Sequence, residues 1–219
     1  METRKSISLN EGWKTWLGDD KKAKETAFDD SAWKLVRVPH NWEDYQGYRR
    51  KSHGNLHGTA WYRKQIEPAA PEKGVHTFVA FGGAGSYADV YLNGVHLGRH
   101  EGGQTGFCLE MTDQLKEGAN LLAMRTDHPE KIMDLPWVCG GCFGTPNTEG
   151  TQPFGINRPV SVYTTGQVRI RPYGVWILPQ QVKEGHPFVC IRTEVENLER
   201  KPVEIRLQSV IKTPSGETV

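Results

Sequence analysis

Between Ala88 and Gly98 the chain reads ADVYLNGVHLG, two alternating apolar–polar runs joined by Asn93-Gly94. Asn-Gly is the pair preferred in a two-residue type I′ hairpin, because both loop positions need positive φ. Such a turn fixes register, so Leu92 is expected to face Val95 and Val90 to face Leu97, which assigns Ala88, Val90, Leu92, Val95 and Leu97 to one buried face. Similar short strand patterns occur in AWYRKQIE, VHTFVAF, NLLAMRTD, PVSVYTT and QVRIRP, separated by turns such as KEGAN. Glycine (24) and proline (13) break the sequence too often for long helices. Only FDDSAW, where Asp29, Asp30 or Ser31 offers a cap, reads as a single helical turn. The expected fold class is all-β, an antiparallel two-sheet sandwich.

A length of 219 residues points to one medium domain with a smaller or incomplete neighbour. After about residue 172 the strand pattern starts afresh in YGVWILPQQV, FVCIRTEVEN and VEIRLQ. An immunoglobulin-type sandwich takes about seven strands in about 100 residues, and the roughly 45 left here suffice for three or four. The expected division is residues 1–172 and an incomplete domain at 173–219, in a piece of a longer protein. With 27 basic and 26 acidic side chains there is no strong field to attract nucleic acid or an anionic membrane. No apolar run approaches the ~18 residues of a bilayer span, and the first residues lack the apolar core of an export signal. A cytoplasmic location stays open beside a periplasmic or extracellular one reached through a trimmed signal. Four cysteines are too few for a disulfide scaffold, so the core must carry stability.

Several motifs invite chemistry. FGGAGSYADVYL is glycine-rich, but a phosphate-cradling loop needs a helix N-terminus after the glycines, and here a strand follows. Its glycines are expected to bend the chain between strands. DLPWVCGGCFG, residues 134–144, combines a carboxylate, an indole, Cys139 and Cys142, and so admits a metal knuckle, a redox pair or a loop shaped for a ligand. A closed zinc site wants two further ligands, and neither His128 nor the separate Cys108 and Cys190 forms a second paired motif. A redox pair wants a βαβ context, which is missing. Loop cysteines, reduced or bridged, are the simpler reading, with no metal and no cofactor. His40, His53, His57, His96, His100 and His128 stand in or beside expected loops, and no G-x-S-x-G elbow accompanies them. The charged runs DDKKAK and YRRKSH read as solvated surface. Among the tryptophans, Trp13, Trp33 and Trp61 fit as core fillers. Trp42 in PHNWED and Trp137 in DLPW instead join a flat apolar face to short polar groups, the combination a sugar ring needs for stacking and hydroxyl pairing.

Taken in order, LNEGWKTW, FDDSAWKLVRVPHNWED, GTAWYRKQI, ADVYLNGVHLGRHEGGQTGFCLEMTDQLKEGANLLAMRTD and GINRPVSVYTT resemble the N-terminal sugar-binding domain of glycoside hydrolase family 2, over roughly residues 7 to 165. That family comprises β-galactosidases, β-glucuronidases and β-mannosidases. The resemblance implies a jelly-roll sandwich, then an immunoglobulin-like domain, then a (β/α)₈ barrel whose two glutamates hydrolyse the glycoside with retention. No catalytic residue is therefore expected here. A loop of the first domain is expected to reach the rim of the sugar pocket, with Asp134 matching its aspartate, Trp137 as stacking neighbour and Asp127 as the alternative acid. Asn41, where relatives commonly read P-H-D-W, is a further match. The implied partners are a β-glycoside, the chain's own downstream domains and, in some assemblies, a second copy. The expected function is the non-catalytic N-terminal portion of a β-galactosidase-like exo-glycosidase, with an autonomous carbohydrate-binding module and a purely structural or oligomerisation domain as rivals.

Overall fold

The computed structural model describes residues 5–42, 56–68, 72–103, 105–129, 154–183 and 186–218. The chain divides into two compact units, Met1–Thr164 and Thr165–Val219. Its strands are β1 Lys5–Ser8, β2 Trp13–Leu17, β3 Lys34–Val36, β4 His40–Asn41, β5 Gly58–Ile66, β6 His76–Phe81, β7 Tyr87–Leu92, β8 Val95–Glu101, β9 Phe107–Glu110, β10 Asn120–His128, β11 Gly155–Ile156, β12 Val160–Thr165, β13 Val168–Lys183 and β14 His186–Asn197.

In the first unit a four-stranded sheet, β1-β12-β6-β9, lies against a six-stranded sheet, β3-β2-β5-β10-β7-β8. The β1–β12 and β6–β9 pairs and all neighbours in the six-stranded sheet are antiparallel. The chain crosses repeatedly between the layers, and the expected all-β sandwich is what forms. One core fills the space between: Val79, Phe81, Phe107 and Val162 from the smaller sheet meet Trp13, Tyr62, Val90, Leu92, Leu122 and Met124 from the larger. The Gly82–Gly85 stretch carries the chain from β6 in one sheet to β7 in the other, so its glycines turn between layers rather than between hydrogen-bonded neighbours.

The Asn93-Gly94 turn has φ of 52° and 86°, as a type I′ turn requires. Leu92 pairs with Val95 as expected, but a register shift at Val90/Tyr91 places Gly98 opposite Val90 instead of Leu97. Val95 is exposed rather than buried, because β8 is an edge strand. FDDSAW forms a hydrogen-bonded turn, with Asp29 accepting from Ser31 N–H, and the short 3₁₀ turns lie at Lys21–Lys24 and Thr112–Gln114. The first of these falls within DDKKAK, where Ala23 is fully buried, so that run is not wholly solvated surface.

In the second unit β13 and β14 form an antiparallel hairpin interrupted between Ile170 and Val175. Alternation sorts it into two faces. One pairs Ile170 with Val195, Val175 with Thr193 and Ile177 with Ile191. The other carries the Arg169–Glu196 bridge at 2.9 Å and the Arg192 guanidinium 5.1 Å from the Trp176 ring centroid. VEIRLQ does not form a strand: Val203, Ile205 and Leu207 keep their alternation but are half-exposed. A strand needs a ladder partner, and none among the described residues lies beside it.

Candidate functional site

One end of the six-stranded sheet gathers the start of β5, the end of β10 and the start of β7, since Gly58 is opposite His128 and Asp127 is opposite both Thr59 and Tyr87. The small β4/β11 ladder joins the same end: Gly155 pairs with Asn41 and bridges Gly85, just before β7. Gly155 has φ 139°, and a Cβ there would collide with the Tyr62 hydroxyl and lie 2.6 Å from the His40 carbonyl oxygen. Glycine is required by both conformation and space.

Alternation along β10 puts Leu122, Met124, Thr126 and His128 on the inner face. His128 is 2 % exposed, not a loop residue. Its ring lies between His57, stacked at 5.1 Å, and Phe154 at 5.7 Å. Its Nδ1 shares a 2.7 Å hydrogen bond with the Ser86 hydroxyl, while Nε2 is buried with no partner among the described residues. Burial, reinforced by the adjacent His57 ring, pushes the His128 pKa down to about 4, so the imidazole is neutral over the ordinary pH range. Ser86 has no exposed surface, which makes Ser86–His128 a buried polar contact and not a nucleophile pair. His40 Nδ1 and the Tyr62 hydroxyl share a 2.8 Å bond, and burial raises the Tyr62 pKa well above its ordinary value.

The expected site residues fall in different places. Asn41 belongs to this end: its Oδ1 accepts the Phe154 N–H at 2.9 Å, and the Trp42 N–H bonds the Phe154 carbonyl at 2.8 Å. The Trp42 indole N–H reaches Thr15 Oγ1 at 3.2 Å and the ring packs on the core, so Trp42 is engaged inside the sandwich. Asp127 lies on the opposite, outer face of the same sheet, bonded to Arg125 at 3.2 Å. Arg125 also holds Asp19, whose carboxyl it keeps below the usual range. The structure does not bring Asn41 and Asp127 onto one face. Asp134, Trp137, Cys139 and Cys142 lie outside the described residues; the chain leaves the described fold after Pro129 and re-enters it at Phe154. Among the described residues no three His, Cys, Asp or Glu side chains are placed to share a metal ion. His57, His128 and Phe154 were missed as a group, although the parity of NLLAMRTDH already placed His128 with the core residues.

No family profile matches the chain. Direct comparison does find relatives. It is 28% identical over 239 aligned positions to a β-glucuronidase of Formosa agariphila, covering 99% of this chain and 23% of that protein. It is 25% identical to the β-galactosidase BoGH2A of Bacteroides ovatus, covering 100% and 25%. A crystal structure of Bacteroides uniformis β-glucuronidase superposes with a TM-score of 0.71 at 28% identity, covering 89% of this chain and 22% of that one. A β-glucuronidase described as from glycoside hydrolase family 2 gives 0.70 at 26%, covering 90% and 22%. The chain matches the N-terminal region of β-glucuronidases and β-galactosidases of glycoside hydrolase family 2. The chain spans about a quarter of the length of the relatives it matches, and its sandwich is the unit in which the Asn41–Phe154–His128 end is built.

Proposed function

We propose that this chain is the non-catalytic N-terminal portion of a retaining, β-galactosidase-like exo-glycosidase, that residues 173–219 open an immunoglobulin-like domain, and that Asp134 and Trp137 contribute to the rim of a sugar pocket in a downstream barrel. The supporting observation is that the chain enters and leaves segment 130–153 at the same end of the sandwich as Asn41, with the Phe154 N–H held by Asn41 Oδ1 and the Phe154 carbonyl by the Trp42 N–H. Asn41 then serves as a tether. Asp134 supplies an acceptor for sugar hydroxyls, and Trp137 a flat face for the C–H side of the ring. Asp127, already paired with Arg125 on the outer sheet face, is left to stability. Relatives are named both β-galactosidase and β-glucuronidase, so both glycones enter the test. The isolated chain should show no turnover of chromogenic β-galactoside or β-glucuronide. In the full-length enzyme Asp134→Ala should lower kcat/KM by about tenfold or more while the fold persists; unchanged kcat/KM would leave the domain a scaffold.

A further inference from the structure

We infer that the His57–His128–Phe154 ring stack is a positioning device for the sugar-facing rim, with His128 as its central residue; this rests on the rim reading above. The sequence positions of the three rings carry the argument. His128 is the last residue of β10 before the chain leaves towards residue 130, Phe154 is the first described residue on its return, and His57 directly precedes β5 at the return of the chain from residues 43–55. One stack, with ring separations of 5.1 and 5.7 Å and planes within 24° of parallel, therefore fixes three chain ends against one another. Phe154 and His128 are buried to 0 % and 2 % exposure, so their rings have no alternative packing to relax into.

Stability alone gives little reason for an imidazole here. A neutral ring whose buried Nε2 has no partner among the described residues is a poorer core residue than phenylalanine. What the imidazole adds is the 2.7 Å hydrogen bond shared by Nδ1 and the Ser86 hydroxyl. Through Ser86 the stack is tied to the Gly85–Gly155 bridge, and thereby to Asn41 in β4. Flat rings set the spacing of the chain ends, and the hydrogen bond sets the rotation of the central ring. An error of about an ångström in placing a substrate-contacting segment can lower rates by as much as about a hundredfold. The device acts on substrate only through the segments it spaces, so none of its members is a catalytic residue.

The test uses the full-length enzyme with the same chromogenic glycosides, Asp134→Ala being run in parallel. His128→Ala, which removes the central ring, should lower kcat/KM by about tenfold, chiefly through KM, if the rim orients the bound sugar. His128→Phe keeps the stack but loses the Ser86 hydrogen bond, and should lower kcat/KM by only about threefold. His57→Ala removes a half-buried outer ring and should fall between them, and it serves if His128→Ala does not fold. The thermal midpoint of each variant is followed alongside. A KM effect that tracks ring content and not the midpoint supports the device. Normal kinetics in folded His128→Ala and His57→Ala beside a defective Asp134→Ala would overturn the stack alone. A harmless Asp134→Ala would overturn the rim reading, and the device with it.

Discussion

A guanidinium with 2 % of its surface exposed must find its partners inside the protein, and Arg63 finds four. It donates to Asp30 at 2.7 Å and to the carbonyls of Ala23, Glu25 and Phe28 at 2.5, 2.9 and 3.2 Å. Those carbonyls line segment 18–33, which folds over the outer face of the large sheet and buries Trp61 and Ala23. Burial tends to raise the Asp30 carboxyl, but the bonds from Lys14 and Arg63 outweigh it and hold the group below the usual range. Arg63→Ala should therefore destabilise the domain by about 3 kcal/mol, read from urea unfolding, because it strands three carbonyls and half-strands a carboxylate. A loss under about 0.5 kcal/mol, the ordinary range for a surface change, would show that the segment is anchored by other contacts. In the sequence Arg63 looked like any polar member of an alternating strand. Trp61 and Arg63 stand on the face of β5 opposite Tyr62, and no local rule says that the outer face of a sheet will be covered too.

At the scale of elements, the β7–β8 turn shows how a local signal can be right and still incomplete. Asn93 was chosen for its tolerance of positive φ, yet its side chain also donates to Gln114 O and Asn120 Oδ1 and accepts from Leu121 N–H. It fastens the turn to the start of β10. Two glycines separate conformation from space. A Cβ at Gly94 meets nothing closer than Lys24 O at 3.8 Å, so Gly94→Ala should lower stability by about 1 kcal/mol through backbone strain alone. Gly155→Ala adds overlap with Tyr62 and His40 and should lower it by about 3 kcal/mol in the same denaturation assay. Equal losses would contradict the close approach at β4/β11. VEIRLQ carries a strand's local pattern, but a strand needs a neighbour for its backbone groups, and that requirement is not visible within a short window.

Across the whole first unit, the response to acid follows from where its ionisable groups sit. His128 has its folded-state pKa depressed to about 4 from 6.5. Below pH 6.5 the unfolded chain takes up a proton that the folded chain refuses, so stability falls as pH drops from 6.5 towards 4. Asp19 and Asp30, held below the carboxylate range, work at lower pH: their contribution is present above about pH 4 and is lost only as pH falls through their depressed values. The wild-type chain should lose roughly 2–3 kcal/mol between pH 7 and 4.5 from His128, and His128→Phe should flatten that interval in urea titrations. Parallel curves for the two proteins would mean that His128 is not the buried base.

The sequence by itself determined the all-β class, the hairpin at Asn93-Gly94, most of the strands and the kinship with family 2 glycosidases, because period-two alternation and turn chemistry act over a few residues and survive in any context. Only the tertiary structure decided which faces are buried twice, that Asn41 grips Phe154 while Asp127 pairs with Arg125 on the far side of the sheet, and that His57, His128 and Phe154 meet. Those arrangements join residues up to 113 positions apart. Their partners are chosen by how two sheets pack, and that choice leaves no periodic trace along the chain.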